Sequence, residues 1–243
     1  MALPPALHTL ARRLMFDLGA LAYDGLTGQP IWREQVLRLL DHVEPSARPV
    51  AALDLGTGPG VSAFALAEAL PGGSAVTGVD LSPRMIARAK RHHARRFPHL
   101  EGVSFHVADA ARLPFDDGAF DLVTGHSFLY LLPDAVSALR EARRVLRPGG
   151  VAVFMEPAAG GALLTALRRA PSPAAVVRRD PVGAARFAAS MALWRAASAL
   201  HGRMDSDRAT RLFGEVGLID AAIRPTLGGL GVHCVARRPA QST

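Results

Sequence analysis

The stretch LDLGTGPG, Leu53 to Gly60, sets three glycines at alternate positions directly behind an apolar, strand-like run and an aspartate. Glycine at this spacing lets a backbone turn sharply and come close to a ligand, with no Cβ in the way. Working outward, the flanking chain alternates β-rich runs with helical patterns. VAALDL (50–55) precedes a helix over 61–70, and SAVTGVD (74–80) precedes one opened by Ser82-Pro83, an N-cap followed by proline at the first helical position. VSFHVAD (103–109) and FDLVTGH (120–126) are further strands. Pro133-Asp134 opens a helix that stops at RPGG, before the strand VAVFME (151–156). This rhythm predicts an α/β fold, a doubly wound Rossmann-like sheet covered by helices on both faces.

After Pro157 the rhythm breaks. Residues 158–204 read as a helical insert rich in Ala, Leu and Arg, jointed at APSP (170–173). A capped helix, SDRATRLFGEVG, then leads into two strands about a glycine turn, LIDAAIRPTLGGLGVHCVARR. The expected organisation is one domain: a helical cover (1–48), a cofactor-binding core (49–157), a helical lid (158–204), and a closing helix and hairpin (205–238).

In an open α/β sheet, ligands bind beyond the carboxyl ends of the strands, where strand order reverses. Gly56, Gly58 and Gly60 fall there, before a helix N-terminus. Asp80 ends the second strand, where a carboxylate can accept both hydrogen bonds of a ribose diol. Asp109 ends the third, where it can accept from an adenine amine. With Asp54 at the first strand, the three acids would present acceptors along the rim, suiting a cationic nucleoside and repelling a pyrophosphate. The G-x-G-x-G spacing also departs from the dinucleotide G-x-G-x-x-G. Two rivals stay open: an NAD(P)-dependent oxidoreductase and a cofactor-binding protein without catalysis.

LDLGTGPG, TGVDLSPRMIARAK (77–90), VADAARLPFDDGAFDLV (107–123) and ALREARRVLRPGG (138–150) resemble the successive motifs of class I S-adenosylmethionine-dependent methyltransferases. The likeness is to the branch that holds the ubiquinone/menaquinone biosynthesis enzymes. It implies a seven-stranded sheet, mostly parallel, with the last strand antiparallel, and S-adenosyl-L-methionine as cofactor. It further implies that Gly56, Thr57, Gly58 and Gly60 line the methionine and ribose part, with Asp54 near its amino group. Asp80 would hold the ribose, Leu81 and Met85 would lie nearby, and Asp109 and Ala110 would border the adenine. His126 would sit beside the methyl group. YDGLTGQPIWREQV (23–36) resembles that branch's leading segment, making Tyr23 and Trp32 candidates for a cover, or for docking the leading helix on the sheet. GHSF (125–128) departs from the Asn/Asp-Pro-Pro-aromatic loop of enzymes that methylate DNA or protein amines. SFLY (127–130) and EP (156–157) depart from the quinone enzymes' LRN and EF.

Methyl transfer is an in-line displacement in which the protein chiefly aligns the reactants. His126 is the candidate base for an oxygen or carbon acceptor, or else packs against the cofactor; Tyr130 and Glu156 are lesser candidates. His92 and His93 adjoin in an arginine-rich helix expected to be exposed, and no metal-ligand spacing is present. Phe187, Met191, Trp194 and Leu200, with arginines 168, 169, 178, 179 and 186, would form either a lid for a lipophilic or aromatic acceptor or ordinary core. A lid of that kind could touch a membrane surface, as a quinone or lipid methyltransferase would.

The formal charge of +7 invites a nucleic-acid reading, but the bias towards arginine runs through the whole chain, and no basic cluster is interleaved with aromatics. The expected partner is a small molecule, with no nucleic acid. The single cysteine excludes a disulfide framework. The N-terminal stretch lacks a signal peptide's layout, and no run is clean enough to span a bilayer, so a cytoplasmic location is expected.

Overall fold

The computed structural model describes residues 30–161 and 181–240. Seven strands form one sheet: β1 (Ala51–Leu55), β2 (Ala75–Asp80), β3 (Val103–Val107), β4 (Phe120–His126), β5 (Leu146–Pro157), β6 (Ile219–Thr226) and β7 (Gly231–Arg237). Their order is β3-β2-β1-β4-β5-β7-β6. β1 to β5 pair in parallel, and β7 runs antiparallel to both β5 and β6. The chain winds outward from β1 to β3 and then returns to the middle to lay down β4. The crevice between the carboxyl ends of β1 and β4 is therefore the switch point of the sheet.

Six helices are described: α1 (Pro30–Leu37), α2 (Val61–Ala69), α3 (Pro83–Arg96), α4 (Ala135–Val145), α5 (Pro181–His201) and α6 (Ser206–Glu215). Three start at the acceptor residues the sequence supplies. Ser82 Oγ accepts from Met85 N–H, Asp134 from Ser137 N–H, and Asp205 from Arg208 N–H. α3 turns Met85, Ile86 and Ala89 inward and its arginines outward. One sheet face packs against α4 and α6 through Leu139, Ala142 and Phe213. The other packs against α1, α2, α3 and α5 through Trp32, Phe64, Ile86 and Trp194. The central strands are buried on both faces and so are apolar almost throughout. β6 lies at the edge, with five of its eight residues exposed and Pro225 among them.

Three local expectations need correction. β3 stops at Val107, so Asp109 lies two residues beyond the strand, bridged to Arg112. The RPGG segment does not separate helix from strand. It lies inside β5, where pairing jumps from Phe120–Leu146 to Leu122–Val151 and the extra residues bulge. His92 and His93 are half-buried rather than exposed, with ring nitrogens on the carbonyls of Pro59 and Leu100.

Candidate functional site

At the switch point lies an open cleft. Gly56 and Gly58 form one wall, each with positive φ (68° and 54°), where a side chain would be strained. Asp80, Leu81 and Met85 come from the end of β2 and the start of α3, and Asp109 and Ala110 from the loop after β3. Asp80 is fixed on both oxygens: Gly58 N–H donates to Oδ2 at 3.0 Å and Ser82 N–H to Oδ1 at 2.9 Å. Asp109 is exposed, with Oδ1 accepting from Ala111 N–H at 3.0 Å. Among the described residues, the ionisable side chains of the lining are these two acids, with no cation.

The other expected residues lie elsewhere. Asp54 is buried in β1 and does not reach the rim; it accepts from Ser62 Oγ and, at 3.0 Å, from Thr124 Oγ1. Burial pushes its carboxyl up to about 6, against the hydroxyls of Ser62, Thr57 and Thr124 that hold it down. The expected row of three rim acids is thus a pair. Thr57 is buried, its N–H bonded to the carbonyl of Val79, and Gly60 caps α2 against Phe64 and Phe105. Tyr23 lies outside the described residues, as do arginines 168, 169, 178 and 179, and the side chains of Arg186, Phe187 and Leu200.

The wall opposite the glycines was not foreseen. It consists of Ser127, Phe128, Leu131 and Leu132, from the loop after β4. Ser127 takes φ 55°, a strained value for a non-glycine residue, and such strain concentrates at functional sites. Phe128 lies over Gly56, where an added Cβ would be 2.5 Å from its Cδ2. Val79 and Ala108 complete the lining. The apolar run SFLYLL was the available signal.

Glu156 holds this loop in place. It is fully buried, with Oε1 accepting from Phe128 N–H (3.1 Å) and Leu129 N–H (2.8 Å), and Oε2 from Tyr130 N–H (3.1 Å). It caps the short 3-10 turn Leu129–Leu131 and does not stand at the pocket mouth. Burial pushes its carboxyl up to about 7, against those three N–H groups.

His126 faces away from the cleft, on the α1 and α5 side. Trp32 meets its ring edge-on, with centroids 5.4 Å apart. Its Nε2 is buried with no hydrogen-bond partner, and burial, with His233 nearby, lowers its pKa to about 4. A buried polar atom left without a partner costs about 1–3 kcal/mol. Tyr130 is buried in the same core. Met191 and Trp194 of the insert pack there too, so this part of the stripe is core. Trp194 Nε1 donates to Ser127 Oγ (3.0 Å) and Trp32 Nε1 to Ser190 Oγ (3.1 Å), fastening α5 to the β4 loop and to α1.

A doubly wound sheet, reversed last strand and acid-lined glycine cleft at the switch point define a nucleoside-cofactor fold of the α/β class. Residues 53–154 match the methyltransferase domain family. Among curated relatives, the demethylmenaquinone methyltransferase of Staphylococcus epidermidis is 38% identical over 126 residues, 52% of this chain and 49% of the relative. The arsenite methyltransferase of Aquipseudomonas alcaligenes is 34% identical over 172 residues, 63% of this chain and 49% of the relative. The matches span about half or less of the length of the first curated relatives. The fold is shared with phosphoethanolamine N-methyltransferase 2 of Haemonchus contortus in complex with S-adenosyl-L-methionine, at 20% identity and a TM-score of 0.64, covering 92% of this chain and 57% of that one. Over residues 53–154 the chain is thus similar to methyltransferase domains, and its fold is shared with solved methyltransferases. Among the described residues, no helix is long and apolar enough to cross a membrane, and no cluster of three or more His, Cys, Asp or Glu could hold a metal ion.

Proposed function

We propose that the protein transfers a methyl group from S-adenosyl-L-methionine to a small lipophilic or aromatic molecule, at oxygen or carbon. The observation that carries this is Asp80, its carboxylate held by the N–H groups of Gly58 and Ser82 on the floor of a cleft whose charged lining is acidic. That lining fits a cofactor bearing a sulfonium and an ammonium, and disfavours a pyrophosphate. Asp80 would accept from the ribose hydroxyls and Asp109 from the adenine amine, with Leu81, Met85 and Ala110 against the base. Gly56 and Gly58 would lie along the methionine part, and Asp54, through Ser62, would hold the start of α2 behind it.

The cofactor supplies an electrophilic methyl group on a positively charged sulfur. The chain's part is alignment and exclusion of water. His126 is turned from the cleft and its pKa is lowered to about 4, which makes it a weak base, so no proton transfer is assigned to it. S-adenosylhomocysteine should raise the melting temperature, whereas NAD and NADP should not. Stabilisation by the dinucleotides alone would remove the proposal.

A further inference from the structure

The two edges of the sheet are built differently. β6 carries features that keep an edge from pairing with another chain: Asp220 with φ 55°, a register break between Ile219 and Ala222, the charge of Arg224, and Pro225. β3, VSFHV, holds neither charge nor proline, and its register with β2 runs unbroken from Val103 to Val107. At its two ends, Gly102 C=O accepts from Val76 N–H at 3.0 Å and Ala108 N–H donates to Asp80 C=O at 3.1 Å. Alternate residues of a parallel strand turn their backbone groups to the same neighbour, so Ser104 and His106 face β2 as well. Val103, Phe105 and Val107 therefore point their N–H and C=O groups outward, and among the described residues nothing bonds them.

A groove follows this open edge between β3 and α3, and the ionisable groups of its lining are Lys90, His93 and His106. Arg91, Arg95 and Arg96 stand exposed on the same helix, which has no acid along its length. The acids nearest the strand in sequence are Glu101, in the turn before it, and Asp109, beyond its end. Val107 is 48% exposed, an apolar contact left open at the end of the strand.

We propose that β3 is a docking edge for a partner protein, which adds an extended segment rich in acidic side chains as a further strand. The outward backbone groups of Val103, Phe105 and Val107 supply the ladder, and Lys90, with Arg91 beside it, selects for carboxylates. A second copy of the chain fits badly. Two antiparallel β3 strands would be related by a twofold axis normal to the sheet, which sets both basic α3 helices side by side on one face. The chain's own segments outside the described residues do not supply the complement either. Residues 1–29 hold Asp17 and Asp24 against Arg12 and Arg13, and residues 162–180 hold Asp180 against four arginines.

The probe is a short acetylated peptide alternating valine and glutamate, titrated into the full chain by calorimetry. One control replaces glutamate by lysine. The other replaces valine by proline, which keeps the charge and removes alternate N–H donors. The valine–glutamate peptide should bind about tenfold more tightly than either control, and should slow amide hydrogen exchange at Val103, Phe105 and Val107. Lys90→Glu combined with Arg91→Glu should weaken it about tenfold. Val107→Pro removes one outward N–H and leaves the ladder to β2 intact, so it should also weaken binding, with a melting transition as cooperative as that of wild type. No binding, equal binding of either control, or slowed exchange elsewhere than β3 overturns the inference. So does self-association of the chain that Val107→Pro disperses, since the edge would then serve a second copy. Binding of phosphatidylglycerol vesicles or an oligonucleotide in the peptide's stead, unchanged by Val107→Pro, would reduce α3 to a charged surface and overturn it too. None of these outcomes depends on a bound cofactor.

Discussion

Asp80 spends two of its acceptor positions on the protein's own backbone, at Gly58 and Ser82, and this is what makes it useful to a ligand. The carboxylate is held before anything binds, so little side-chain freedom remains to be lost on binding. Asp80→Ala removes both the ligand contact and the brace on the glycine loop. Hydrogen bonds to a charged group contribute about 1.5–3 kcal/mol each, so affinity for S-adenosylhomocysteine should fall at least 100-fold. Calorimetry decides the matter; affinity within a few-fold of wild type would show that the ribose is held elsewhere. Asp54 contrasts with it. It carries the same functional group one strand away, yet the hydroxyls of Ser62 and Thr124 enclose it, and its work is internal.

At the scale of elements, the end of β5 governs the loop after β4. Glu156 gathers the N–H groups of three consecutive residues, and that loop forms a wall of the cleft. Burial gives the carboxyl a folded pKa of about 7, above its unfolded value of 4.5, so the folded chain holds this proton more tightly. The stability it contributes is therefore fully present below about pH 4.5 and is lost as pH rises through 7. The loss is on the order of 3 kcal/mol. Asp54 adds a loss of the same sign as pH rises through about 6. Glu156→Gln cannot titrate, so urea unfolding between pH 5 and 8 should show a flatter decline than wild type. Parallel slopes for the two proteins would rule out Glu156 as the source.

For the molecule as a whole, the parallel core was legible because buried strands are apolar runs ending in Gly and Asp, and because Ser82, Asp134 and Asp205 announce their helices. The first glycine wall and Asp80 were legible for the same reason: they sit at strand ends, where local pattern decides position, whereas Asp109 lines the cleft from the loop two residues beyond β3. What stayed hidden depends on residues far apart in the chain. Asp54 reads as a rim acid until Thr124, 70 positions away, is seen to bond it. The lean of Phe128 over Gly56 follows from the left-handed turn at Ser127, which serine does not advertise. His42 and His233 meet across 191 positions of sequence. The bulge in β5 likewise follows from pairing with β4, which no property of RPGG alone foretells.

The three residues that leave β4 have divided duties: His126 turns to Trp32, Ser127 receives the indole of Trp194, and Phe128 leans on Gly56. Because strand side chains alternate in direction, the division depends on counting as well as on chemistry. Surface loops ordinarily absorb insertions and deletions. Here, removing one residue between Thr124 and Phe128 would exchange the faces to which the last side chains of β4 point and pull the N–H groups away from Glu156. In a library of single-residue deletions scored by soluble yield, this segment should be among the least tolerant in the chain, and yields matching those of deletions in the Gly72–Gly73 turn would refute that.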